Sequence, residues 1–247
     1  MIRYHKKIFF FRVFESWFNY EYRFSNIFSL NVFMHVKNSN HKKIAGVQNI
    51  SHTIELDLEQ DTNEIFSNFS KQVRQQVKIA ENEGTRCYFH QEIDRFADFF
   101  NDFAMRKDTY TTSKEKIMEL GNSVKLSFAE NKGEILAAHS YLVDEDIKIV
   151  RHLHSATKRL DEHFDRNFIG RANKFLTVKD ILYFKEMGFK IYDFGGYAMN
   201  TEDESLKGIN NYKLLFGGKV VPCINYYSYS YWFLKKLSKL LGLSGKL

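Results

Sequence analysis

Cysteine, proline and long apolar runs are what this sequence has least of. Cys87 and Cys223 are its two cysteines, far apart and without metal-type spacing, which argues against a disulfide framework and against a zinc site. Pro222 is the one proline. Inside a strand it marks an edge or a bulge, because it has no N–H to give to a ladder. No stretch approaches the roughly 20 apolar residues of a membrane span. The basic start holds only a short apolar run at residues 8–11 before Arg12 interrupts it, so no signal peptide is expected. A reducing, cytoplasmic setting follows as the expectation. No internal repeat or low-complexity tract is visible.

What is abundant is aromatic. Phe and Tyr number 24 and 14, and aromatics reach 16% of 247 residues, which excludes a disordered chain. Lys and Arg exceed Asp and Glu by 36 to 30, a net charge of +6 spread along the sequence. That excess suits an anionic small molecule as well as nucleic acid or a lipid surface, and does not choose among them.

Residues 1–50 are hard to read. Strands are expected at 8–11 and 32–36, a helix at 15–24 between them, and the segment is expected to pack on a main domain spanning 51–230. From Thr53 to Leu58 apolar and polar residues alternate as in a half-buried strand. Asp61 opens a helix predicted to run unbroken to Gly84, with Lys71, Arg74 and Lys78 as a solvated basic ridge. Further helices are expected over 93–103 and 113–121, and a hairpin turn at Asn131, Lys132 and Gly133. In the strand predicted at 147–156, Arg151, Leu153 and Ser155 share one face and His152 and His154 the other. No carboxylate or cysteine nearby completes a metal set with them, so no metal is assigned. A regular helix follows over 168–187. The tail, 231–247, reads as a basic amphipathic helix with Leu234, Leu237 and Leu241 opposite Lys235, Lys236 and Lys239. Docking by that apolar stripe is its first reading, and weak contact with an anionic membrane surface its second.

The chain is organised around residues 192–218. Lys190 to Phe194 read as a short strand that ends abruptly on the pair Gly195 and Gly196, followed by Tyr197, with Tyr192 and Phe194 flanking Asp193, which interrupts the apolar run. Gly208, Ile209, Asn210, Asn211, Tyr212, Lys213, Leu214, Leu215 and Phe216 form a short helix stopped by Gly217 and Gly218. An Asp-Phe-Gly triplet also occurs in kinases, but no glycine-rich loop or His-Arg-Asp run accompanies it.

Together with the Lys-Glu-Met-Gly-Phe helix end at 185–189, these two motifs resemble the carboxyl-terminal signature of the FemAB-like acyltransferases. These are relatives of the GNAT acyl-CoA transferases and include the enzymes that add amino acids to peptidoglycan bridges. The resemblance implies an α+β fold with a GNAT-like mixed, mostly antiparallel central sheet flanked by helices. It implies that the strands before and after the long helix splay apart around a pantetheine arm, with pyrophosphate on the amides at the helix start. The GNAT pattern there is Gln or Arg, two residues, Gly, one residue, then Gly or Ala. Asn167, Gly170, Arg171 and Ala172 occupy this run, with Asn167 where Gln or Arg is expected.

The implied activity is N-acyl transfer from acyl-CoA, a cosubstrate and not a resident cofactor, to the amine of a small anionic acceptor. A nucleotide-linked amino sugar of surface-polysaccharide biosynthesis is the leading acceptor. Asp193 and His154 are the candidate proton acceptors, Asp193 being equally suited to capping the glycine turn. Lys213 and Arg171 are assigned to anionic groups. Asn210, Tyr212, Tyr197 and His152 are assigned to the acceptor side. The alternatives are an aminoacyl-tRNA-dependent transferase acting on a peptidoglycan precursor, and an inactive GNAT-like binding module. No helical arm for transfer RNA is visible, so nucleic acid is not expected. The sequence leaves the oligomeric state open, a homodimer being one option.

Overall fold

The computed structural model describes residues 2–8, 11–20, 29–37 and 46–240. The chain divides into two compact units, Met1–Thr53 with Val221–Leu247, and Ile54–Val220. The first 53 residues thus share a unit with the carboxyl-terminal segment.

Three strands open the smaller unit: β1 (Ile2–Ile8), β2 (Phe11–Trp17) and β3 (Asn31–Val36). β1 and β2 form an antiparallel hairpin, and β3 runs parallel to β2. Residues 15–17 are therefore strand, where the sequence suggests helix; residues 21–24 of that expected helix lie outside the described residues. Cross-strand pairing decides the outcome. Glu15 is buried and accepts hydrogen bonds from the Tyr4 hydroxyl and from Trp17 Nε1, the latter at 2.9 Å. A helix would scatter these three groups.

β4 (Val47–Asp57) begins in the smaller unit and ends in the larger. The helix expected over 61–84 is two, α1 (Thr62–Asn68) and α2 (Lys71–Asn82). Ser70 interrupts them by accepting the Val73 N–H as an N-cap, and Arg74 Nη1 donates to the carbonyls of Ser67 and Phe69 at the end of α1. β5 (Arg86–Phe89), α3 (Ile93–Arg106) and α4 (Lys114–Met118) follow, then the meander β6 (Val124–Asn131), β7 (Glu134–Asp144) and β8 (Ile149–Thr157). Lys132 and Gly133, with φ of 50° and 86°, make the two-residue turn expected between β6 and β7.

The long helix α5 (Arg166–Glu186) crosses from β8 to the parallel strand β9 (Ile191–Tyr197), and α6 (Glu204–Leu214) follows. In the larger unit the order is β4-β9-β8-β7-β6-β5, with β5 to β8 antiparallel and β8–β9 parallel. This is the mixed, mostly antiparallel sheet with flanking helices that the sequence predicts. Its main core sets Ile54, Leu56, Phe69, Val73, Tyr141, Val178, Ile181, Phe184 and Phe216 together. Each such side chain contributes about 1.5–3 kcal/mol on burial. Gly217 and Gly218 close the core: a Cβ at either would lie 2.8 Å from Asn68 or 2.5 Å from Ile54, so neither tolerates a side chain.

β10 (Lys219–Tyr227) returns to the smaller unit beside β3, and α7 (Tyr229–Leu240) ends the description. β10 lies between β3 and β4. Among the described residues, pairing of β10 with β3 starts at Ile224, beyond Pro222.

Candidate active site

The site grows from the point where two parallel strands part. β8 and β9 pair through Ile149, Val150 and Arg151 against Ile191, Tyr192 and Asp193. Their pairing stops there, although β8 continues to Thr157 and β9 to Tyr197. A buried ion pair marks the last rung: Arg151 Nη1 donates to Asp193 Oδ2 at 2.6 Å. Asp193 Oδ1 accepts the Gly195 N–H at 2.8 Å. Gly195 needs to be glycine, since its φ is +85° and a Cβ would sit 3.2 Å from the His152 carbonyl. Asp193, assigned to proton transfer from sequence, thus has both oxygens engaged in holding this turn and Arg151.

Lys213, from α6, reaches the same place. Its Nζ donates to the Gly196 carbonyl at 2.6 Å. Burial, then the charge of Arg151, pull its ammonium down to about 8, with Asp193 opposing. Tyr197 ends β9 beside this turn, packed against the main core.

The two histidines of β8 do not share a face. Ser140 pairs with His154 but Tyr141 pairs with His152, so Leu153 is an extra residue in the ladder. That bulge reverses the alternation expected from the sequence. His154 lies among Phe96, Phe100 and Tyr110, its Nδ1 2.7 Å from Ser140 Oγ, and burial pushes its imidazole down to about 4. His152 faces the other way, with ring centroids 4.5 Å from His139 and 4.8 Å from Tyr141. Its Nε2 donates to the His154 carbonyl at 3.0 Å, which leaves Nδ1 as its lone-pair nitrogen. Burial first, then the neighbouring His139 and Lys213, hold His152 well below its usual pKa and neutral.

Behind His152 runs a buried polar network that sequence reading missed. His139 Nδ1 lies 2.8 Å from Asp180 Oδ2, which also accepts from the Tyr141 hydroxyl at 2.5 Å. Tyr141 contacts the Tyr192 hydroxyl at 2.8 Å. His139 Nε2 lies 2.9 Å from Asn173 Oδ1, and Asn173 Nδ2 donates to the Tyr212 hydroxyl at 2.8 Å. Thr177 Oγ1 completes the set 2.9 Å from the same hydroxyl. Tyr212, assigned to the acceptor, is thus tied into the wall of the site, and burial raises its phenol far above the usual value. A signal was present: Asn173, Thr177 and Asp180 make a polar stripe at i, i+4 and i+7 on an otherwise apolar helix.

Other assignments move. Arg171 forks onto Glu83, Nε to Oε2 at 3.0 Å and Nη2 to Oε1, so a carboxylate takes the place expected for a phosphate. Ala172 is buried in the core, and the Asn167 N–H is capped by Asp165 at 2.6 Å. Gly170 borders open space, with nothing within 4 Å of where a Cβ would stand. Asn210 bonds both backbone groups of Ala198, at 3.1 and 2.8 Å, stapling α6 to the end of β9. Arg159 and Lys174 are two cations close enough to influence each other. Burial, then the charge of Arg159, lower the Lys174 ammonium, and neither has a carboxylate partner among the described residues. Lys174 Nζ also lies 5.7 Å above the Tyr212 ring.

Among the described residues no group of three or more His, Cys, Asp or Glu is placed to hold a metal. A concavity of about 530 Å³ lined by Thr62, Asn63, Phe66, Ser67 and Arg74 contains none of the residues above.

A meander feeds a long crossover helix, and the strands on either side of that helix part beside a glycine pair. No family model and no curated protein matches the sequence. Among solved structures, FemX superposes with a TM-score of 0.65 at 12% identity, over 96% of this chain and 85% of FemX. L-PGS from Bacillus licheniformis does so with a TM-score of 0.61 at 11% identity, over 99% and 86%. The C-terminal domain of a protein described as a lysylphosphatidylglycerol synthetase of Agrobacterium fabrum gives 0.59 at 13% identity, over 88% and 73%. At these identities the likeness is one of fold.

Proposed function

We propose that this chain transfers an acyl group from a thioester donor to the primary amine of a small anionic acceptor, at the parting of β8 and β9. The observation that carries the reading is the convergence there of three chemically distinct groups: the ammonium of Lys213, the lone-pair nitrogen of neutral His152, and the backbone exposed by Gly196. Amine attack on a thioester carbonyl forms the C–N bond and an N-protonated tetrahedral adduct. That adduct must lose its extra proton before the thiolate leaves. His152 Nδ1 accepts the proton, in place of Asp193 or His154. Asp193 stays ionised to hold Arg151 and the turn, and His154 faces an apolar pocket. Lys213 holds the acceptor's anionic group or the developing oxyanion. Arg159 and Lys174, two cations without an anion between them, receive the donor's phosphates. A nucleotide-linked amino sugar combines the amine and the anion this arrangement asks for.

An aminoacyl-tRNA donor is the second reading, favoured by two particulars. Asn167 replaces the expected Gln or Arg, and Arg171 is taken by Glu83. Calorimetry with coenzyme A separates the two. Gly170→Trp puts a large side chain at the start of α5, where a Cβ would meet nothing within 4 Å. The expected result is micromolar-range binding by the native chain and loss by more than tenfold in the variant. No coenzyme A binding, with tight salt-sensitive binding of transfer RNA instead, would replace the first reading with the second.

A further inference from the structure

Helix α7 docks by only part of its expected leucine stripe: Leu234 turns inward and Leu237 is 42% exposed. Its inner side is carried by Tyr231, packed with Val13 and Val32, by buried Ser238 and by half-buried Leu234. The outer side carries Tyr229, Trp232, Phe233, Leu237 and Leu240, which are 52%, 38%, 65%, 42% and 84% exposed. Leu241 and the Lys239 side chain lie outside the described residues. A contiguous exposed stripe of aromatic rings and two leucines on one helix is the mark of an interaction surface.

Charge identifies the partner. Residues 229–247 contain four lysines and no Asp or Glu. Lys235 and Lys236 sit above the rings of Tyr227 and Trp232, at 4.9 and 5.5 Å, and have no carboxylate partner among the described residues. Pairing two copies through this helix would set lysine against lysine. A helix of 12 residues spans about 18 Å, too short to cross a bilayer core of about 30 Å, but long enough to lie along one. Aromatic rings interleaved with lysines are the composition of a helix seated among lipid headgroups. We infer that α7 binds an anionic lipid surface in plane, with Trp232, Phe233, Leu237 and Leu240 in the headgroup layer and Lys236, on the same side, over lipid phosphates. This surface stands independently of the acyl-transfer reading.

The test is partition of the full chain onto vesicles of phosphatidylcholine alone or with one-third phosphatidylglycerol, read by cosedimentation and tryptophan emission. Trp17 is buried and bonded to Glu15, so an emission shift reports on Trp232. Binding and a blue shift are expected on the anionic vesicles only, weakening as salt is added. K236Q should lower the partition coefficient about fivefold, the loss expected for one lysine near an anionic surface. W232A/F233S should abolish it with far-ultraviolet circular dichroism unchanged. Absence of binding to anionic vesicles, equal binding by both variants, or lipid-free dimerisation that shifts the Trp232 emission would overturn the inference.

Discussion

Replacing Asp193 by Asn tests the centre of the site most sharply on the stability side. Asn keeps an oxygen for the Gly195 N–H but turns an amide donor toward Arg151 Nη1, now 2.6 Å from the lost carboxylate oxygen. Arg151 is itself buried, 7% exposed, so its guanidinium would lose this carboxylate while staying charged. Removing one partner of a buried pair costs about 3–5 kcal/mol, whereas losing a turn hydrogen bond costs about 1 kcal/mol. Against a domain stability on the order of 5–15 kcal/mol, the larger figure is easily read. Urea unfolding followed by far-ultraviolet circular dichroism suits the purpose, since both tryptophans lie in the other unit. The double variant Asp193→Leu, Arg151→Met removes both charges and should recover most of the loss. A cost near 1 kcal/mol for the single variant, with no recovery in the double, would refute the ion-pair account. Unchanged stability with turnover lost would return Asp193 to proton transfer.

Three further outcomes are expected. His152→Gln should lower turnover by about 10²-fold or more, the scale of general-base catalysis. His154→Gln should leave turnover within a few fold. Equal losses in both would mean that neither accepts the proton. Because Lys213 titrates near 8, below an unfolded value of about 10.4, the folded chain binds fewer protons than the unfolded chain between those values. Lys213 therefore costs stability fully below pH 8, and the cost fades as pH rises toward 10. Its anion-holding form is the protonated one, so acceptor affinity should fall as pH rises through 8, a fall that Lys213→Arg should abolish; a pH-independent affinity in the native chain would remove Lys213 from the acceptor site. Gly170→Ala, by contrast with Gly170→Trp, should stabilise α5 by about 0.5–1 kcal/mol in thermal melts; destabilisation would mean the open space at Gly170 is not open in solution.

Local signals carried much of the larger unit. The Lys132, Gly133 turn and the stop at Gly217 each depend on a few adjacent residues whose backbone needs are specific, whereas the strand expected to end on the glycine pair continues through it to Tyr197. The parts that escaped depend on partners distant in sequence. Trp17 and Tyr4 on neighbouring strands bury Glu15 and turn an expected helix into β2. The bulge at Leu153 is invisible without the register of β7, yet it alone separates His152 from His154. Glu83 lies 88 residues before Arg171, so the loss of that arginine to a carboxylate could not be read from either segment. Asp180 could have been found, because a carboxylate within the stripe of Leu176, Ile181 and Phe184 needs a buried partner.

The central claim is acyl transfer to an amine at the parting of β8 and β9, and thiol release measures it most directly. Purified chain would be given a panel of acyl-CoA thioesters with and without nucleotide-linked amino sugars, and free thiol followed with a colorimetric disulfide. The expected result is amine-dependent thiol release, with the acylated amine seen by mass spectrometry and the rate reduced by about 10²-fold in His152→Gln. No amine-dependent release with any thioester, from protein that is folded and binds the acceptor, would contradict it.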